Sequence, residues 1–205
     1  MAKKEAFLSS ICYRMYGRGS HVKPSLVQIS NSHFFDEVCK VYKDLGGVLN
    51  VPPLNPGKWD IELENCIIEL DEENHFNRYR LKTLESPIYE SYTNFDVENY
   101  RKYCKSYDKK CPISQKRWSN PSSDKQFGES GLNGDFKGNG PSRWKQRAFY
   151  DFIKDVYSII TGIPVIRISI YDQVKYSTIK QLLDNEDSIR IKEYLRYIIE
   201  MQDKK

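Results

Sequence analysis

Acidic residues on an otherwise apolar strand are the feature that most constrains how this chain folds. Residues 66–71 read CIIELD, a β-branched and apolar run that is typical of a buried strand. A carboxylate inside such a strand is costly unless it is paired or bound to a metal. Because side chains alternate along a strand, Glu69 and Asp71 point to the same face. The chain must therefore fold so that both acids gain a partner.

A short hairpin brings a third acid to the same place. Residues 60–63 and 66–71 read as two short strands joined by a two-residue turn, which predicts a β-hairpin. Asp60 then lies alongside the second strand. We expect Asp60, Glu69 and Asp71 to converge at one end of a sheet.

Each residue of this group also has a purely structural explanation. Asp60 can cap a turn, Asp71 can be the N-cap of the following helix, and His75 can be an ordinary helix residue. Their joint placement favours a site instead. Carboxylate oxygens suit Mg²⁺, and His75 follows Asp71 closely enough to orient water, assist proton transfer or contact a phosphate.

The remaining periodicity predicts an α/β fold. Apolar residues at three-and-four spacing predict amphipathic helices over residues 32–45 and from Arg143 onwards, and residues 164–171 (PVIRISIY) predict a buried strand. The element order is helix, hairpin, helix, long loop, helix, strand and helix. This order predicts a mixed β-sheet flanked by helices.

The length of 205 residues fits one domain, residues 1–205, which includes an insertion at residues 101–142. The insertion begins with RKYCKSYDKKCPISQKR. This segment is rich in Lys and Arg, contains a single acidic residue and has tyrosines among the basic residues. Such a run suits a nucleic-acid surface, but it also suits a solvated, charged face. Residues 112–141 are rich in Ser, Gly, Asn and Pro and predict a long irregular loop.

Composition narrows the class of protein. No apolar run approaches the roughly 18 residues of a membrane span, and the first residues lack the apolar core of a signal peptide. Five cysteines without a regular framework favour reduced thiols. We expect a cytoplasmic protein that binds no membrane. The net charge of +4 gives only a mild attraction to polyanions.

The acidic strand and its surroundings resemble a known superfamily. A strand bearing Asp60, then IIELD with Glu69 and Asp71, then His75, resembles the core of the PD-(D/E)xK nucleases. The pattern is similar to the very-short-patch-repair endonuclease branch, in which the strand ends in Glu-x-Asp and a histidine follows. The later helix and the PVIRIS strand fit the same order. The segments ELDEE-HFNRYR and RWKQRAFYDF are also similar to a family of uncharacterised bacterial proteins.

The resemblance implies a restriction-endonuclease-like fold and a metal-dependent endonuclease that acts on nucleic acid, DNA above all. It implies that Asp60, Glu69 and Asp71 hold Mg²⁺ or Mn²⁺ and that His75 assists catalysis. Basic side chains near this core are candidate nucleic-acid contacts, because Lys and Arg bind backbone phosphates. They are Arg78 and Lys82, one helical turn apart, and Arg143, Lys145 and Arg147 at the start of the long helix.

Two departures leave alternatives open. Position 71 holds Asp where the superfamily most often has Lys, and Glu72 replaces the glycine common in this branch. The missing general base is then Lys82, Lys145 or Lys154, or it is absent. An inactive module that binds nucleic acid or a protein on the same fold is the alternative function. The sequence leaves open whether the chain acts as a monomer or a homodimer.

Overall fold

The computed structural model describes residues 3–90, 92 and 94–200. It combines α-helices with two small sheets, an α/β arrangement. No helix in these ranges is long and apolar enough to cross a membrane. In chain order the helices are α1 (Lys3–Tyr16), α2 (Leu26–Ser30), α3 (Phe35–Asp44), α4 (Arg78–Thr83), α5 (Val97–Tyr107), α6 (Gln115–Trp118), α7 (Pro121–Phe127), α8 (Ser142–Thr161), α9 (Ile179–Asp184) and α10 (Ser188–Glu200). The strands are β1 (Ile61–Glu62), β2 (Ile67–Asp71), β3 (Val165–Ser169), β4 (Gln173–Val174) and β5 (Ser177–Thr178).

The chain forms two compact units. The first, which we call the sheet unit, comprises residues 1–23, 58–72 and 162–205. The second, the helical unit, comprises residues 24–57 and 73–161.

The main sheet of the sheet unit has the strand order β1-β2-β3. β1 pairs antiparallel with β2, as the predicted hairpin requires. β3 joins β2 in parallel, and Glu69 is the partner of Arg167 while Asp71 is the partner of Ser169. All five residues of β2 and all five of β3 are buried, so both strands belong to the core. β4 and β5 form a separate hairpin.

Three helices complete the core of the sheet unit. α1 packs against α9 and α10, and α9 packs against α10. Their contact faces are apolar, with Leu8, Ile11, Leu182, Ile191 and Leu195 each at most 3% exposed. α9 begins with a capping box, in which Thr178 accepts from the backbone N–H of Gln181. Burial of these side chains is the main driving force for this packing.

The helical unit is built around α8. This helix packs against α2, α3, α4, α6 and α7 and buries fourteen of its twenty residues. A helix that is buried on most sides forms a core element rather than a surface layer. The rings of Tyr42, Phe127 and Phe149 meet edge-on or tilted beside it, with centroid separations of 5.2–6.3 Å.

Polar contacts order the stretch that the sequence predicts to be irregular. α6 and α7 both lie within residues 112–141. The Asp124 carboxylate accepts hydrogen bonds from Ser119 Oγ and Ser142 Oγ, both at 2.6 Å, and Trp118 Nε1 donates to the Gly131 carbonyl at 2.9 Å. Trp118 also packs on Trp144 and Cys111 in a buried cluster. These contacts hold the stretch to the start of α8.

Candidate functional site

The acidic strand buries Asp71 against an arginine. Asp71 and Arg167 have side chains that are 1% and 0% exposed. Arg167 Nη1 donates to both carboxylate oxygens of Asp71, each at 3.0 Å. The parallel register places Arg167 on the same face of the sheet as Glu69 and Asp71. The pairing satisfies the expectation that the acids of this strand need partners.

Asp60 and Glu69 are joined through the backbone of the hairpin. The Asp60 carboxylate accepts from the Leu70 backbone N–H at 3.0 Å, and the Glu69 carboxylate accepts from the Asp60 N–H at 3.2 Å. Glu69 is 2% exposed, whereas Asp60 is half-buried. The hairpin therefore brings Asp60 to Glu69, while Asp71 lies two residues further along β2 on the same face.

His75 lies in the helical unit, where it is hydrogen-bonded to α8. It ends a short 3₁₀ turn, Glu73–His75, instead of lying within a helix. The α-helix that follows the acidic strand starts after His75, because Asn77 is the N-cap of α4 and accepts from the backbone N–H groups of Tyr79 and Arg80. His75 Nδ1 lies 2.8 Å from Asp151 Oδ2. This pair orients the imidazole ring, as carboxylates commonly do for functional histidines.

Arg78 has an acidic partner. Its guanidinium donates to both oxygens of Asp108, with Nε to Oδ1 at 3.3 Å and Nη2 to Oδ2 at 2.5 Å, and its Cζ lies 3.9 Å from the ring centroid of Phe136. The hydrogen bond from Arg78 to Asp108 raises the pKa of Arg78. A phosphate at Arg78 would compete with this carboxylate.

The lysines predicted to contact nucleic acid bind neutral oxygens. Lys82 is exposed, and its Nζ donates to the Asp44 carbonyl. Lys145 is 5% exposed and its Nζ donates to Asn139 Oδ1 at 2.6 Å. Burial lowers the pKa of Lys145, and the charge of Lys82 lowers it further. Lys145 is thus held inside the helical unit.

Arg143 and Arg147 are half-buried and one turn apart on α8, and Arg117 is exposed on α6, which packs against α8. We call these three residues the arginine cluster. Burial lowers the pKa of Arg143 and of Arg147, and the charge of Arg143 further lowers that of Arg147. Arg143 Nη1 donates to Gln146 Oε1. This cluster concentrates positive charge at the start of α8.

A second buried ionic network lies further along α8. Arg80 Nη2 donates to Asp155 Oδ2 at 2.7 Å, and Tyr89 OH donates to the same oxygen at 2.6 Å. Arg80 Nη1 also donates to Thr83 Oγ1 at 3.1 Å. Arg80 and Asp155 are 1% and 0% exposed. We infer that this network stabilises the fold, since all of these groups are buried.

Asp151 and Arg167 were not predicted as site residues, although each is hydrogen-bonded to a residue of the candidate site. Asp151 follows Arg143 and Arg147 at the same four-residue spacing, which predicts that all three share a helix face. Arg167 stands in the middle of the apolar run VIRIS, where a charge needs a buried partner. These two patterns were the available signals.

The fold and the site define an α/β protein with a three-stranded sheet whose central strand buries acidic side chains. Residues 40–185 match the family described as "Family of unknown function (DUF7255)", and the chain belongs to this family. No curated protein matches the chain. No solved structure matches it either.

Proposed function

We propose that this chain is a metal-dependent endonuclease with a restriction-endonuclease-like core that hydrolyses phosphodiester bonds in DNA. The observation that carries the proposal is the pair formed by His75 and Asp151, with 2.8 Å between Nδ1 and Oδ2. His75 follows, along the chain, a strand that buries Glu69 and Asp71. A carboxylate-oriented histidine and several strand-borne acids are the groups that metal-assisted hydrolysis uses.

The available ligands suit a hard divalent cation. Asp60, Glu69 and Asp71 of the sheet unit supply carboxylate oxygens. Within the helical unit, His75 and Asp151 supply an imidazole nitrogen and a carboxylate oxygen. Three residues separate Asp71 from His75, so the chain keeps their Cα atoms within about 14 Å of each other. Oxygen ligands favour Mg²⁺ or Mn²⁺, and an imidazole ligand shifts the preference towards Mn²⁺. When bound, such an ion lowers the pKa of a water molecule and stabilises charge on the phosphodiester.

The protein groups have separate tasks in this proposal. Asp151 accepts the Nδ1 proton of His75, which leaves the lone pair of the neutral imidazole on Nε2. Nε2 can then accept a proton from an attacking water molecule. Arg167 fixes the orientation of the Asp71 carboxylate by donating to both of its oxygens.

Cleavage assays with matched variants test the proposal. We expect purified protein with Mg²⁺ or Mn²⁺ to cut a DNA substrate, and we expect EDTA to stop it. His75→Gln should lower the rate by about 100-fold or more, because it removes the proton acceptor. Asp71→Asn should abolish cutting. His33→Gln is the control, since His33 is exposed, and it should cut at the wild-type rate.

Metal binding supplies an independent measurement. Calorimetry should detect Mn²⁺ binding to the wild type and a loss of affinity in Asp71→Asn and Asp151→Asn. The proposal fails if no Mn²⁺ binds and no cleavage occurs on single-stranded, duplex, mismatched or methylated DNA.

One observation favours a second function, a catalytically inactive module that binds nucleic acid or a protein. The guanidinium of Arg167 already neutralises Asp71, and a carboxylate neutralised in this way attracts a cation less strongly. The two functions differ in measurable behaviour. DNA binding that weakens with salt, without any Mn²⁺ binding, would favour the inactive module.

A further inference from the structure

The arginine cluster lies close to the His75–Asp151 pair within the helical unit. Arg143, Arg147 and Asp151 follow one another at four-residue intervals on α8, so their side chains share one face. Cβ atoms at this spacing are about 6 Å apart. Asp151 in turn is hydrogen-bonded to His75. Arg147 is therefore one helical turn from Asp151, the carboxylate that orients the histidine to which we assign proton transfer.

Positive charge exceeds negative charge at this place. Arg143 and Arg117 each disfavour the charged form of Arg147, and Asp151 is the carboxylate that favours it. The same carboxylate and the Tyr150 phenol favour the charged form of Arg143. Arg143 and Arg147 thus interact with one carboxylate, which is already shared with His75, and Arg117 adds a third positive charge beside them.

Carboxylates elsewhere in the unit do not neutralise the cluster. Among the residues that the structure describes, none forms an ion pair with Arg117, Arg143 or Arg147. Arg78, by contrast, has the carboxylate of Asp108. Partly burying like charges without a counter-ion is unfavourable. An anionic ligand would offset that cost.

We propose that Arg117, Arg143 and Arg147 form a subsite for a phosphate group of the nucleic-acid backbone. Guanidinium groups bind phosphate oxygens through paired hydrogen bonds, and a half-buried position strengthens them. The inference rests on the proposed function because it assigns the bound phosphate to the DNA strand. The phosphate would lie beside the one that is hydrolysed, and it would hold the strand in register with His75.

Binding without metal or cleavage tests this subsite. The probe is a short single-stranded DNA, with and without a 5′-phosphate, titrated in EDTA and followed by fluorescence anisotropy. We expect Arg147→Gln and Arg143→Gln each to weaken binding about 10-fold and to reduce the salt dependence by about one ion per removed contact. Arg147→Lys should retain part of the affinity, since the charge remains.

Lys116→Gln is the matched control. Lys116 is exposed on α6 next to Arg117, and this change removes the same charge. It should alter affinity less than about twofold, because exposed charges contribute weakly. Thermal melting of each variant checks that the fold is retained. If Arg147→Gln weakens binding only of the 5′-phosphorylated DNA, the subsite binds a terminal phosphate, and the assignment to a backbone phosphate is overturned.

Other outcomes separate the subsite from the enzymatic activity. Equal weakening by Lys116→Gln and Arg147→Gln would overturn the subsite, since the effect would be general electrostatics. Cleavage by Arg147→Gln at the wild-type KM would also overturn it while leaving the nuclease intact. If the wild-type protein does not cleave DNA but the arginine variants lose DNA binding, the subsite is supported and the nuclease activity is rejected.

Discussion

Charged side chains are balanced differently in the two units. The sheet unit contains the ion pair Asp71–Arg167, and the helical unit contains the arginine cluster. Asp71 and Arg167 are almost fully buried, and their charges neutralise each other. Arg143 and Arg147 are half-buried, and no carboxylate of the described residues forms an ion pair with them. Burial lowers the pKa of both.

The difference separates charges that maintain the fold from charges that await a ligand. A buried pair becomes strongly unfavourable when one partner is removed, because the other charge is left without compensation. An unpaired, partly desolvated cation already reduces stability in the folded protein. Binding sites commonly carry such a cost. The two regions should therefore respond to neutralisation with opposite signs.

Breaking the buried pair should have the largest effect on stability. Arg167→Met leaves the Asp71 carboxylate buried without its guanidinium, and we expect a loss of about 3–5 kcal/mol in the free energy of unfolding. The double variant Asp71→Leu/Arg167→Met should recover most of this loss. Urea denaturation measures the change, and amide hydrogen exchange in β2 and β3 locates it.

An exposed ion pair serves as the control for this prediction. Lys175 and Glu193 are 67% and 50% exposed, with 3.5 Å between Nζ and Oε2. Glu193→Gln should change stability by less than about 0.5 kcal/mol, because solvent screens such pairs. A loss below about 1 kcal/mol for Arg167→Met would contradict a structural role for the pair.

Local patterns in the sequence predict much of the fold. The hairpin of β1 and β2 is confirmed, because apolar alternation and a short polar turn leave few other conformations. The long apolar stripe predicts α8, and the structure begins it at Ser142. The parallel pairing of β2 with β3 could not be predicted in register, since it joins residues almost 100 positions apart. The start of α4 at Arg78, three residues after His75, was also not predicted.

The candidate site was predictable only where its residues are close in sequence. Glu69 and Asp71 follow from strand alternation, and Asp60 follows from the hairpin. Arg167 and Asp151 approach their partners through long-range packing, with 96 and 76 positions between the paired residues. A single sequence gives no register for such contacts. The charge within the apolar run VIRIS marked Arg167 as paired but did not identify its partner.

Each unit contains a buried cysteine thiol, Cys12 in the sheet unit and Cys111 in the helical unit. Burial raises the pKa of Cys12 in the sheet unit and of Cys111 in the helical unit from 9.0 to about 12. Between pH 9 and 12 the unfolded chain loses these protons while the folded protein keeps them. The free energy of unfolding should then fall with rising pH, by about 1.4 kcal/mol per pH unit for each thiol between pH 9 and 12, and this contribution should be fully present below pH 9.

Urea denaturation at pH 8 and pH 10 measures this dependence. Cys12→Ala and Cys111→Ala should each lose less stability between the two pH values than the wild type does. Cys39→Ala is the control, because Cys39 is less deeply buried and should change the dependence less. An unchanged pH dependence in both test variants would show that other groups, such as tyrosines and lysines, cause the fall.

Neutralising the arginine cluster should have the smallest effect and the opposite sign. Arg147→Met removes a desolvated charge that has no ion pair among the described residues. We expect the free energy of unfolding to stay level or rise by up to about 1 kcal/mol. Arg78→Met is the matched comparison, since Arg78 donates to Asp108, and it should lose up to about 1 kcal/mol because the pair is partly exposed. If Arg147→Met instead cost more than about 2 kcal/mol in urea denaturation, Arg147 would be part of the structural core, and the contrast with the Asp71–Arg167 pair would no longer hold.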